Sequence, residues 1–195
     1  MHSVRLYLVD CLRIPPDRIL VLTDSEATRE AILQAFQNHF IHNNHVTGSD
    51  AMLFYFAGHG SRVVAPAKWM TDDGHVETIC PHDESVSPDD RPNVFGIPAR
   101  TLWALVHELA SVKCSNITTI LDCCHSGNGI RGRTARRHEN RVVIPANLDE
   151  GIWGLVADRH VQAAIPSRFL HKNMSSQVLL AACCQVRVIR EHLIV

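Results

Sequence analysis

Two apolar segments that each stop at a chemically loaded turn constrain this chain most. Residues 51–57 read Ala51-Met52-Leu53-Phe54-Tyr55-Phe56-Ala57 and run into Gly58-His59-Gly60-Ser61. Residues 116–121 read Asn116-Ile117-Thr118-Thr119-Ile120-Leu121 and run into Asp122-Cys123-Cys124-His125-Ser126-Gly127. Their β-branched and aromatic content reads as strand. Two adjacent cysteines followed by His, Ser and Gly are poor material for a core and good material for a nucleophile on a sharp turn. In open α/β sheets, sites form at the carboxyl edge of the strands. If the strands ending at Ala57 and Leu121 are neighbours, His59 and Cys124 meet at that edge.

The rest of the chain alternates helix and strand. Apolar residues at helical spacing cover residues 4–12 and stop at Pro15-Pro16. Residues 18–22 read as a short buried strand. Thr23-Asp24-Ser25-Glu26 has the form of a capping box, and the helix it opens runs through Ala31, Ile32, Ala35 and Phe36 to about Phe40. Residues 61–96 are polar and rich in Pro, Asp and Gly, so loops and a hairpin are expected there. Ile97-Pro98 opens another helix with Leu102, Leu105, Val106 and Leu109 on one face. Residues 128–149 form a flexible, Arg-rich linker, and Gln177-Val178-Leu179-Leu180 is one more strand. This order predicts an α/β fold with a mostly parallel sheet covered on both faces. At 195 residues, one domain is expected.

Composition excludes several functions. A formal net charge of −1 gives no global attraction to nucleic acid or membrane. The apolar runs are far shorter than the ~18–20 residues of a membrane-crossing helix. Arg5, Asp10 and Arg13 interrupt the N-terminal apolar stretch, unlike a signal peptide. Seven cysteines, with Cys123/Cys124 and Cys183/Cys184 adjacent and no C-x-x-C spacing, indicate reduced thiols in the cytoplasm and no zinc site. His39, His42 and His45 lie at the end of a helix beside Asn43 and Asn44, and read as solvated residues, not metal ligands. Trp103 and Trp153 read as packing residues. Gly58-His59-Gly60 lacks a GxGxxG or Walker continuation, which argues against nucleotide binding.

The residues at the two turns suit acyl transfer. A thiol becomes a nucleophile when it loses its proton, and a nearby imidazole takes that proton and later returns it to the leaving amine. Acyl transfer also needs donors for the oxyanion. The backbone N–H groups of Gly60 and Cys124 are the candidate pair. Asp122, two residues before Cys124, is placed to hold a cationic substrate side chain, which predicts cleavage after Arg or Lys. Its simpler role is a cap for the following turn. Cys123 is expected to pack inward, and His125, adjacent in sequence, to point away from the thiol.

The segments Phe54-Tyr55-Phe56-Ala57-Gly58-His59-Gly60-Ser61 and Asp122-Cys123-Cys124-His125-Ser126-Gly127 resemble the two signatures of metacaspases, the caspase-like cysteine endopeptidases of fungi, plants and protists. Ile79-Cys80-Pro81-His82-Asp83 and Val178-Leu179-Leu180-Ala181-Ala182-Cys183 are similar to further family segments, so the resemblance spans about residues 4–184. It implies a caspase-like three-layer α/β/α fold and a Cys-His dyad of Cys124 and His59. It also implies a basic-specificity carboxylate at Asp122, protein or peptide substrates with basic residues, and a role in programmed cell death. Arg131, Arg133, Arg136, Arg137 and Arg141 form a like-charge cluster that reads as a solvated loop or a site for an anionic partner, and, in an Arg-specific protease, alternatively as a self-cleavage linker.

Departures from the family pattern carry their own expectations. The chain starts inside the family's first helix and ends differently after Ala-Ala-Cys, so a missing first strand and a missing C-terminal part are expected. The alternative function is then a truncated, inactive caspase-like interaction module or a gene-model fragment. Many metacaspases need calcium, held by aspartates after the small-domain helix start and after the Cys motif. Here those positions read Ile97-Pro98-Ala99-Arg100-Thr101 and Arg131, without hard oxygen ligands. No cofactor is therefore expected at the usual positions; Asp72, Asp73, Asp83, Asp89 and Asp90 remain as loop carboxylates, and calcium activation is the alternative.

Overall fold

The computed structural model describes residues 2–69, 71–85, 94–123, 143–153 and 177–181. Among them the chain forms an α/β fold with one parallel and one antiparallel sheet, each of three strands. Helix α1 (His2–Leu6) continues into a π-type turn over Tyr7–Cys11, as the helical spacing of residues 4–12 predicts. Leu6, Tyr7 and Leu12 stay exposed.

The strand expected over residues 18–22 is not formed. A 3-10 turn covers Pro16–Arg18, and Ile19 is extended, but no described strand pairs beside it. Short apolar runs of this kind are defined as strands only by a partner, and Leu20 is instead half-exposed.

The capping box is present but sits one turn early. The Glu26 carboxylate accepts from the Thr23 N–H at 3.4 Å and from its hydroxyl at 3.2 Å. It closes only the 3-10 turn Asp24–Glu26, because Ala27 leaves the helical region at φ −79° and ψ 48°. Helix α2 (Arg29–Phe36) has its own cap, Thr28, whose Oγ1 accepts from the Ala31 N–H at 3.2 Å. It runs on into a π-type turn over Gln37–Ile41. Thr28→Ala is expected to cost about 1 kcal/mol of stability in urea unfolding, and Thr23→Ala clearly less, because its box closes a single exposed turn.

Strand β1 (Met52–Ala57) follows, then β2 (His59–Val64) and β3 (His75–Cys80). The expected hairpin in residues 61–96 is β2 and β3, paired antiparallel, with Gly74 at φ +71° in the connection, a conformation that favours glycine. Strand β4 (Ile97–Pro98) adds to β3, and α3 (Ala99–Val112) starts directly after it. Pro98 is thus the residue before the helix, not its first. Leu102, Leu105, Val106 and Leu109 are all buried, as the helical face predicts. Strand β5 (Ile117–Asp122) is central in the order β1-β5-β6, with β6 spanning Gln177–Ala181. Both pairings are parallel.

The main core lies on one face of this parallel sheet. Met52, Ile117, Leu121 and Cys123 join Ile32, Leu33 and Phe36 of α2 and the apolar face of α3. Phe54 and Phe56 pack against the same cluster, Phe54 edge-on to Phe36 at 5.4 Å. A second cluster ties the hairpin to Val143 and the residues after it. Ile144 is buried with Ala65, Trp69 and Val76, and Leu148 packs beside them. Val64 bridges Val143, and a short helix α4 (Glu150–Trp153) ends this segment. Residues 124–142, which include most of the expected linker and its arginines, lie outside the described residues.

Candidate active site

The register of β1 against β5 decides the geometry. Met52 pairs with Ile117 and each following residue keeps step, so Ala57 pairs with Asp122. The Gly58 N–H donates to the Asp122 carbonyl at 3.2 Å and carries the pairing one residue further. Strands β1 and β5 therefore end at one carboxyl edge of the sheet. His59 is exposed there and opens β2 opposite Cys80, and Gly60 stands opposite Ile79. Asp122 is exposed at the end of β5. Cys124, with its backbone N–H, and His125 lie outside the described residues. The structure thus brings His59, Gly60 and Asp122 to the edge from which Cys124 follows Asp122 by two residues.

Alternation along β5 separates the neighbouring residues. Ile117, Thr119, Leu121 and Cys123 face the core, and Cys123 is buried there. The expectation that Cys123 packs inward holds. On the opposite face, Asp122 accepts a hydrogen bond from the Tyr55 hydroxyl at 3.3 Å. Tyr55 is half-buried. Burial, then the charge of Asp122 and this hydrogen bond, hold the Tyr55 phenol above its ordinary range. Sequence reading passed over Tyr55. The available signal was its position two residues before Ala57, which puts both on one face of β1.

Behind the edge, the segment after β3 locks the hairpin to α2. The His82 N–H donates to the Ala27 carbonyl at 2.9 Å, and the Arg29 N–H donates to the Asp83 carboxylate at 2.8 Å. The carboxylate supplies an N-terminal helix charge of favourable sign. Next to it, burial pushes the Glu84 carboxyl up, partly opposed by hydrogen bonds from the Cys80 side chain and the Gly96 backbone. A carboxyl raised in the folded state binds more protons folded than unfolded. It therefore lowers stability as pH rises from its unfolded value through its folded one. Glu84→Gln keeps an acceptor and removes the charge. We expect its melting temperature to exceed wild type at pH 7, with the gap closing toward pH 4.

A second buried polar cluster joins α2, α3 and α4. The Arg29 guanidinium pairs with Asp149 at 2.5 Å, with side chains 15% and 6% exposed. Its Nε donates to the Phe95 carbonyl at 3.0 Å, and the Thr101 hydroxyl donates to Asp149 at 2.7 Å. Asp149 adopts φ +61°. Beside it, Arg100 lies 4.0 Å from the Trp153 ring centroid and 5.0 Å from that of Trp69, and desolvation lowers its pKa. The helix start thus holds a cation against two indoles where a calcium site needs oxygen ligands, so these residues do not fit that ion. Among the described residues no three His, Cys, Asp or Glu side chains gather as a metal site. His39 meets the Arg18 carbonyl at 3.2 Å. Trp103 stacks on His107 at 5.0 Å, and Trp153 packs on Arg100.

Comparison with known proteins assigns the family. Residues 2–131 match the family model "Metacaspase, peptidase C14 domain". The chain belongs to the metacaspase family. It is 27% identical over 136 residues to Metacaspase-1 of Yarrowia lipolytica, covering 67% of this chain and 27% of that protein. It is 29% identical over 139 residues to Metacaspase-1 of Arabidopsis thaliana, covering 64% of this chain and 32% of that protein. Metacaspase III c of Phaeodactylum tricornutum is 31% identical over 81 residues, or 40% of this chain and 21% of that protein. The chain therefore spans about a third or less of the relatives it matches. Among the described residues no helix is long and apolar enough to cross a membrane.

Proposed function

We propose that this protein is a cysteine endopeptidase that cleaves after Arg or Lys. The observation that supports the reading is the parallel register pairing Ala57 with Asp122, which ends both signature-bearing strands at one sheet edge. In this reading His59 takes the Cys124 thiol proton, and the thiolate attacks the scissile carbonyl carbon. The N–H groups of Gly60 and Cys124 donate to the oxyanion. The C–N bond breaks as His59 returns the proton to the leaving amine. Water, deprotonated by His59, then hydrolyses the thioester and restores the thiol. Asp122 holds the basic side chain before the cleaved bond. The sheet that supports this chemistry is read as the three-layer caspase-like arrangement. A reduced thiol fits a cytoplasmic setting. Turnover of a fluorogenic arginyl peptide by wild type and Cys124→Ala tests the proposal, and equal rates in the two overturn it.

A catalytically silent interaction module is the second reading. It is favoured by the outer edge of β1, which pairs with no strand among the described residues although β1 is apolar on both faces. Turnover that depends on Cys124 sinks this second reading.

A further inference from the structure

Asp122 is exposed at the end of β5, where a carboxylate on its own rotates freely. Its described side-chain partner is the Tyr55 hydroxyl, 3.3 Å from Oδ2. Ala57 is the residue paired with Asp122, and Tyr55 lies two residues earlier on the same face of the neighbouring strand. This is the diagonal relation that a long aromatic side chain can span. Tyrosine holds its hydroxyl on a rigid ring with two rotatable bonds, and β1 fixes the base of that ring in the sheet.

We infer that Tyr55 is a positioning residue for substrate selection, fixing the Asp122 carboxylate so that it presents its remaining acceptor sites to a basic side chain. The inference rests on the proposed role of Asp122. A phenol that donates to one oxygen leaves the other oxygen and a further lone pair open. It also fixes the plane of the carboxylate. Arginine is recognised through a planar fork, and lysine as a compact charge with rotatable donors. A fixed carboxylate plane therefore favours arginine over lysine. The phenol remains neutral and donating across the neutral pH range, because burial and the Asp122 charge oppose its ionisation.

Tyr55→Phe removes only the hydroxyl and keeps the ring in its half-buried place. It is expected to weaken binding of an arginyl peptide about threefold to tenfold, with a smaller loss for the lysyl analogue. On turnover the change falls on KM more than on kcat. Binding of the same two peptides to the Cys124→Ala background, with and without Tyr55→Phe, gives the comparison without turnover. Equal affinities in the two backgrounds overturn the inference, as does the absence of peptide binding in both. Asp122→Asn separates this inference from the reading it rests on. If Asp122→Asn abolishes the basic preference and Tyr55→Phe leaves it unchanged, the role of Asp122 stands and that of Tyr55 falls. If neither variant alters the preference, both fall.

A spectroscopic readout checks the contact itself. The chain has two tyrosines, so Tyr7→Phe leaves the Tyr55 phenol as the one that titrates in the ultraviolet. Adding Asp122→Asn is expected to move that titration to lower pH. An unchanged titration overturns the inference.

Discussion

Replacing His59 with alanine is expected to lower kcat on an arginyl peptide by about 10²–10⁴-fold. Cys124→Ala is expected to remove the thioester route altogether. The two losses differ in kind. In the proposed mechanism, the thiol remains without His59 but lacks a group that accepts its proton and returns it to the amine. Added imidazole should therefore restore part of the His59→Ala rate and none of the Cys124→Ala rate. His59 is exposed and opens β2 at the sheet edge, so its truncation leaves no core cavity. Melting temperatures of wild type and His59→Ala should agree, which separates lost chemistry from lost fold. Wild-type turnover by His59→Ala, without added imidazole, would remove the residue from the mechanism.

The largest effect on stability is expected at the Arg29–Asp149 pair. Arg29→Met keeps most of the apolar stem of the side chain and removes the guanidinium. It leaves the Asp149 carboxylate, 6% exposed, with the Thr101 hydroxyl as its remaining described donor. Removing one partner of a buried ion pair costs about 3–5 kcal/mol, because the other charge stays desolvated. For a chain of this length that lowers the melting temperature by roughly 6–20 °C, at about 2–4 °C per kcal/mol. Asp149→Asn is milder. Asparagine tolerates the positive φ of this position, and its amide oxygen still accepts from Thr101 and Arg29. A double variant, Arg29→Met with Asp149→Asn, should recover part of the Arg29→Met loss, because no full charge is then left unpaired. Thermal unfolding of the four proteins gives the comparison. A loss under 1 kcal/mol for Arg29→Met, on the order of a surface pair, would mean that the pair is effectively solvated.

The cluster also has a mechanical consequence. Arg29 begins α2, Thr101 lies in α3, and Asp149 directly precedes α4. Three segments far apart in sequence thus meet on one carboxylate. Arg100, against both Trp69 and Trp153, fastens the same segment to the connection that follows β2. Residues 143–149, the end of the expected linker, are held by these contacts and by buried Ile144.

Much of the candidate site was legible because its residues are local in sequence. Apolar strands that stop at Gly-His-Gly and Asp-Cys-Cys-His-Ser-Gly carry their chemistry at their ends, and period-2 alternation sends Cys123 into the core. The face of α3 was legible for the same reason, since Leu102, Leu105, Val106 and Leu109 repeat at helical spacing. Residues 18–22 misled because apolar content specifies burial, and strand formation also needs a neighbour. Thr23 misled because two good caps, Thr23 and Thr28, lie five residues apart, and the conformation of Ala27 selects the second. Tyr55, Arg29 and Glu84 were not legible as partners. Each contact joins residues brought together by register or packing, and the short-range pattern is silent on both.

The sequence by itself determined that this chain carries the two metacaspase signatures, on strands whose apolar pattern puts them in a sheet. It also determined which residue types could act as base, nucleophile and specificity carboxylate. The tertiary structure decided that β1 and β5 are parallel neighbours in a register that pairs Ala57 with Asp122. It also decided that Tyr55 reaches Asp122 and that Asp149 closes on Arg29. The physical reason is range. Side-chain alternation and helical spacing are properties of a few consecutive residues, while register and ion pairing depend on the packing of segments the chain separates.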